Sequence, residues 1–177
     1  MKRIVLAATD PGGPTYVEPF VFVKQILAGN VNSEVLFALS FPPTKSGIDG
    51  GAAYLEATLS QSDVLPDSLT VSTQAQIGQS TAAALWKESN GSVWYLLSSI
   101  PRGSVMVANG NLDLLVRPVN NNLVAKQISG TVHCVYPGTG HGFLFQEWKL
   151  FGETSLAFLE LGVFPKGKTQ VKCSRVF

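Results

Sequence analysis

From Ser68 to Ile77 apolar and polar positions alternate: Leu69, Val71, Ala75 and Ile77 share one phase, and Ser68, Thr70, Ser72, Gln74 and Gln76 the other. That is the period of a half-buried strand. Two Asn-Gly dipeptides follow, Asn90-Gly91 and Asn109-Gly110, flanked by the strand-like runs Val93–Ile100, Ser104–Ala108 and Leu112–Val116. Asn-Gly suits the two positive φ values of a type I′ turn, so both read as hairpins within a meander over about residues 81–119.

Further strand-like runs span Arg3–Ala8, Tyr16–Leu27, Glu34–Phe41, Thr131–Tyr136, Phe143–Phe151, Ser155–Phe164 and Lys168–Phe177, with turns at Gly29-Asn30 and Pro165-Lys166-Gly167. Helix formers cluster only at Ala52–Leu59 and Ser80–Glu88, each about two turns long. Strands do not alternate visibly with long helices, and there is no internal repeat. The pattern therefore predicts a single all-β domain over residues 1–177: an antiparallel β-sandwich, jelly roll or barrel with at most one or two short helices. Doubly wound nucleotide-binding folds are disfavoured.

Composition narrows the function classes. The chain has 177 residues, 45% hydrophobic and 14% charged, with a formal net charge of +1. A coiled coil or a disordered polyampholyte is excluded, and so weak a field argues against nucleic-acid packaging. The opening Met1-Lys2-Arg3 is basic, but the apolar run behind it is too short for a secretory core. No window is long and apolar enough for membrane insertion. Cys134 and Cys173 form no zinc-ligand spacing and fall on the apolar phases of strands, which favours two buried reduced thiols. Were they to pair, the closed loop would contribute about 4 kcal/mol.

The residues that bear chemistry are sparse. Gly138-Thr139-Gly140-His141-Gly142 combines backbone freedom with a histidine, but the Lys of a P-loop is missing and Phe143-Leu144-Phe145 reads as strand. His133 and His141 stand beside Asp10, Asp49, Asp63, Asp67 and Asp113 as parts of a conceivable triad, yet the sequence contains no GxSxG elbow. Two histidines and two separated cysteines make a poor metal set, and no cofactor motif is present. The polar loops supply candidate ligand contacts instead: Asn90, Asn109, Asn120, Asn121, Asn122, Thr139 and His141. Tyr16, Tyr54, Trp86, Trp94, Tyr95, Tyr136 and Trp148 could form a sugar-stacking surface, although strand aromatics more often fill a core. Lys166, Lys168, Lys172 and Arg175 fit a solvated edge strand.

The segment Leu156-Ala157-Phe158-Leu159-Glu160-Leu161-Gly162-Val163-Phe164-Pro165-Lys166-Gly167-Lys168-Thr169-Gln170-Val171 resembles the closing hairpin of protruding (spike) domains in calicivirus-, nodavirus- or tetravirus-like capsid proteins. The resemblance implies a non-enzymatic structural protein at the virion surface. It would self-associate as a dimer or trimer, bind neither nucleic acid nor cofactor, and attach to a host receptor or glycan. The alternatives are a non-viral lectin-like β-sandwich and a hydrolase that uses His133 or His141.

Overall fold

The computed structural model describes residues 2–29, 32–61, 72–88, 93–165, 167 and 169–177. Four strands, β1 (Ile4–Ala7), β2 (Val105–Gly110), β3 (Val132–Tyr136) and β4 (Lys172–Arg175), form one sheet in that order. β1, β2 and β3 run parallel, and β4 is antiparallel to β3. Around them lie α1 (Val21–Leu27), α2 (Ser33–Ser40), α3 (Lys45–Gln61), α4 (Thr73–Lys87), α5 (Pro118–Gln127), α6 (Phe143–Gln146) and α7 (Trp148–Leu161).

The expected antiparallel all-β fold is thus replaced by an α/β fold. The central strand explains why. Every residue of β2 is buried, because helices cover both faces of a parallel sheet and its strands read as continuous apolar runs. On one face, Val105 and Val107 pack with Val124 and Ala125 of α5 and with Ile128 at its C-terminal cap. On the other, Met106, Ala108, Cys134 and Tyr136 pack with Phe143 and with Phe158 of α7. α5 is therefore the crossover that lets β2 and β3 lie parallel.

Several runs read as strands are helices. In Phe143–Phe164 the residues turned inward include Phe143, Phe151, Thr154 and Phe158, a spacing near 3.6 rather than 2. Gly162 ends α7 at φ 71°, where its N–H donates to the Phe158 carbonyl, a left-handed cap that glycine adopts at little cost. Tyr16–Leu27 contains α1, and Glu34–Phe41 lies largely within α2, whose cap is Asn32 accepting from the Val35 N–H at 2.9 Å. Within the alternating run Ser68–Ile77, residues 68–71 lie outside the described set. Ser72 caps α4 by accepting from the Ala75 N–H, and Gln74, Gln76 and Ile77 are helical. Val93–Ile100 contains a 3-10 helix over Trp94–Ser99, and Leu112–Val116 is a turn. The two short helix-forming stretches lie within α3 and α4.

Asn109-Gly110 makes no hairpin. It continues β2, with Asn109 opposite Val135 and Gly110 opposite Tyr136. Asn90-Gly91 and Asn30 lie outside the described residues. β4 is an edge strand with Lys172 exposed, in keeping with its charge pattern. The cysteines are joined rather than reduced. Cys134 and Cys173 are directly opposite one another across β3 and β4, with Cα atoms 4.1 Å apart, and form a disulfide. Among the described residues no helix is long and apolar enough to cross a membrane.

Candidate functional site

The loops that leave β2 and β3 at their C-terminal ends lie side by side, where open parallel sheets place their ligands. The first carries Asp113 and the second His141. Their side chains meet, with His141 Nδ1 3.0 Å from Asp113 Oδ2. Asp113 is sealed from solvent, whereas the His141 ring is about one-third exposed.

Asp113 is fixed from behind. Its Oδ1 accepts the backbone N–H of Leu115 at 2.9 Å and of Val116 at 2.8 Å. Two donors on one oxygen leave Oδ2 for the imidazole and satisfy a carboxylate that burial would otherwise penalise. The two loops are also tied by backbone bonds, Leu112 N–H to the Thr139 carbonyl and Asn111 N–H to the Tyr136 carbonyl. The Asn111 side chain accepts from the Gly138 N–H.

The histidine loop is clamped on its far side. Gly142 N–H donates to the Ser40 carbonyl at the end of α2, and Gly140 N–H donates to Gln146 Oε1. A Cβ on Gly142 would lie 2.5 Å from the Phe41 ring, so that ring rests directly on the backbone beside His141. With Nδ1 engaged by Asp113, Nε2 is the nitrogen left for chemistry.

His141 borders a cavity of about 740 Å³ whose walls come from the end of β1, α2, α3 and α6. Ala7 and Ala8 form part of it. Ala8 has φ 47°, a left-handed backbone that is uncommon outside glycine and recurs where a chain is bent at a functional site. Among the described residues three hydroxyls border the cavity: the phenol of Tyr54, and those of Ser40 and Thr58, which are spent on their own helices, Ser40 Oγ donating to the Leu36 carbonyl and Thr58 Oγ1 to the Tyr54 carbonyl. Among the described residues no group of His, Cys, Asp and Glu is arranged to hold a metal ion.

Of the residues expected in ligand-binding surface loops, His141 is placed at this cavity. Thr139 is buried, its hydroxyl donating to the Tyr136 carbonyl. Asn109 is buried at the end of β2 and donates through Nδ2 to the Val116 carbonyl. Asn120, Asn121 and Asn122 belong to α5 rather than to a loop. Asn120 meets the backbone of Val17 twice, accepting from its N–H at 2.8 Å and donating to its carbonyl at 2.7 Å. Asn121 donates to the Thr9 carbonyl. Asn120 and Asn121 thus fasten the segment after β1 to α5, Asn120 through both ends of its amide. Asn90 lies outside the described residues.

His133 has no part in the site. It stands on β3 beside Val107, on the side opposite Cys134, and burial lowers the pKa of its imidazole. In the sequence Asp113 is legible only as one of five aspartates. The signal that singles it out is two apolar runs, each followed by a polar turn, the first ending in Leu112-Asp113 and the second in Gly140-His141.

No family model matches the chain, and no curated protein matches its sequence. A solved alpha/beta hydrolase fold protein from Chitinophaga pinensis superposes with a TM-score of 0.71 at 20% identity, covering 91% of this chain and 57% of that one. The chain has the alpha/beta hydrolase type of fold. A meta-cleavage product hydrolase from Pseudomonas fluorescens IP01 is similar at a TM-score of 0.47 and 14% identity, covering 89% of this chain and 55% of that one. The chain therefore spans a little over half the length of both structures. A parallel sheet flanked by helices overturns the likeness to a viral spike, because the supposed closing hairpin is α7 followed by a loop and β4. The capsid and lectin-like readings, both built on a β-sandwich, fall with it.

Proposed function

We propose that the chain carries the base and the orienting acid of a hydrolase centre. The observation that supports this is the 3.0 Å contact between His141 Nδ1 and the buried Asp113 carboxylate, at the ends of neighbouring parallel strands and beside a cavity. The chain order, acid before histidine, is the order used on this fold.

In this reading His141 Nε2 takes the proton of an attacking hydroxyl as the new bond to the substrate carbonyl forms. It returns that proton to the leaving group as the old bond breaks. Asp113 holds the imidazole with its proton on Nδ1 and stabilises the positive charge that develops. A water then attacks the acyl intermediate by the same two proton transfers and restores the hydroxyl. Among the described residues, the serine and threonine that border the cavity commit their hydroxyls to helix carbonyls, and no GxSxG occurs in the sequence; we therefore propose that the nucleophile comes from polypeptide outside these 177 residues. The partial span of the Chitinophaga pinensis structure accords with that placement.

Two measurements test the reading. At a pH above the imidazole range, ¹⁵N NMR of this chain is expected to find the His141 proton on Nδ1, and Asp113→Asn to abolish that bias. In polypeptide that includes the nucleophile, His141→Ala and Asp113→Asn are each expected to lower turnover of a 4-nitrophenyl ester by about 10⁴-fold. Turnover unchanged by His141→Ala would overturn the reading.

A further inference from the structure

The cavity beside His141 is built for a particular kind of acyl group. Its wall is a run of aromatic rings: Phe37 packs on Phe41 with centroids 5.0 Å apart, Phe41 on Tyr54 at 5.9 Å, and Tyr54 edge-on to Phe145 at 4.7 Å. Leu36, Leu55 and Leu144 also border it. The rings are seated by close backbone approach, since a Cβ on Gly51 would lie 2.5 Å from the tip of Phe37. Phe37 of α2 thereby rests on the backbone of α3.

The electrostatics are one-sided. Among the described residues that border the cavity there is no Lys or Arg, and the acidic side chain is the carboxylate of Glu34. Asp113 adds a second carboxylate directly behind His141. A ligand with its own carboxylate would meet like charge in an apolar wall with no cation to neutralise it. A volume of about 740 Å³ lies within the range of small-molecule sites.

We propose that this cavity binds the uncharged, aromatic-ended acyl part of a small ester or ketone and discriminates against the carboxylate analogue. The proposal rests on the hydrolase reading for its site, but its test reads binding and not turnover. Phenylacetone serves as the neutral, non-hydrolysable probe and phenylacetate as its anionic counterpart, both titrated into the chain by calorimetry and ligand-detected NMR. Phenylacetone is expected to bind at least about tenfold more tightly. Glu34→Gln should narrow that ratio. Leu55→Glu, at an exposed position of α3 where a charged side chain is compatible with the fold, should reduce phenylacetone binding by about tenfold or more.

Equal affinity for the two probes, absence of phenylacetone binding, or indifference to Leu55→Glu in a protein that retains its circular dichroism would each overturn the proposal. The two readings fail separately. His141→Ala is expected to keep phenylacetone binding in this chain while removing turnover in polypeptide that includes the nucleophile. Binding that survives alongside unaffected turnover would remove the hydrolase assignment and leave the cavity's preference standing.

Discussion

Gly110 and Gly140 pack backbone to backbone: a Cβ built on Gly110 would lie 2.3 Å from the Gly140 carbonyl oxygen. Gly110 ends β2 and Gly140 directly precedes His141, so this contact sets the distance between the acid-bearing and base-bearing loops. A Cβ on Gly140 would in turn lie 2.5 Å from the Ser40 carbonyl oxygen. The histidine loop is thus caught between β2 and the end of α2, with no space for a side chain on either side.

Gly110→Ala is therefore expected to push the histidine loop away. It should cost about 1–3 kcal/mol of stability and lose the ¹⁵N signature of the Asp113–His141 pair. Gly152→Ala is the control. That glycine lies inside α7, and a methyl group there would meet nothing within 4 Å, so the change should stabilise by about 0.5–1 kcal/mol. Urea denaturation of the two variants checks both signs.

Asp113 separates structure from chemistry. Asp113→Ala would leave the Leu115 and Val116 N–H groups without their acceptor in a buried turn, an expected loss of about 2–4 kcal/mol. Asp113→Asn keeps an oxygen for those donors and should lose much less stability, while still disturbing the imidazole. Comparing thermal unfolding with the His141 ¹⁵N shifts distinguishes these effects.

The Cys134–Cys173 bond closes a separation of 39 residues and ties edge strand β4 to β3. Cys173→Ser, or reduction of the native protein, is expected to cost about 4 kcal/mol in the chain-entropy account. The melting temperature should fall in both cases, and added thiol should have no further effect on the variant.

The half-buried His133 and the buried Tyr136 predict opposite pH limits. Burial lowers the His133 pKa. The unfolded chain therefore binds the proton more readily, and the stability present above the unfolded imidazole pKa is lost as pH falls below it. Burial pushes the Tyr136 phenol from 10.0 up to about 12. Its contribution is whole below the unfolded pKa and is lost as pH rises from there toward about 12. His133→Gln should flatten the acid limb of the stability profile, and Tyr136→Phe should flatten the alkaline limb, as measured by denaturant midpoints across pH.

Much of the local punctuation is legible from residues alone. The runs that form β1, β2, β3 and β4 are apolar or edge-like in sequence, the loop around His141 stands out for its glycines, and Asp113 is among the candidate acids. Alternation fails where a period of 2 and a period of 3.6 share apolar positions over short spans. Phe143–Phe164 fits either until burial shows Phe151, Thr154 and Phe158 on one face. Asn109-Gly110 misleads for another reason. The dipeptide suits a tight turn, but β3 pairs with it in register and α5 covers the strand, so the turn falls after Gly110.

By itself, then, the sequence determined which segments are apolar enough to be covered, where the chain can bend sharply, and that little net charge would guide it to a polyanion. Only the tertiary structure decided that the strands lie parallel, that Asn120 and Asn121 of α5 bond the backbone of the segment after β1, and that Cys134 meets Cys173. It alone brought Asp113 to His141. Strand direction and side-chain pairing depend on contacts between residues distant in sequence, whose energies have no local signature. The same five glycine-rich residues that look like a surface hairpin become a clamped loop once β2 and α2 close on them.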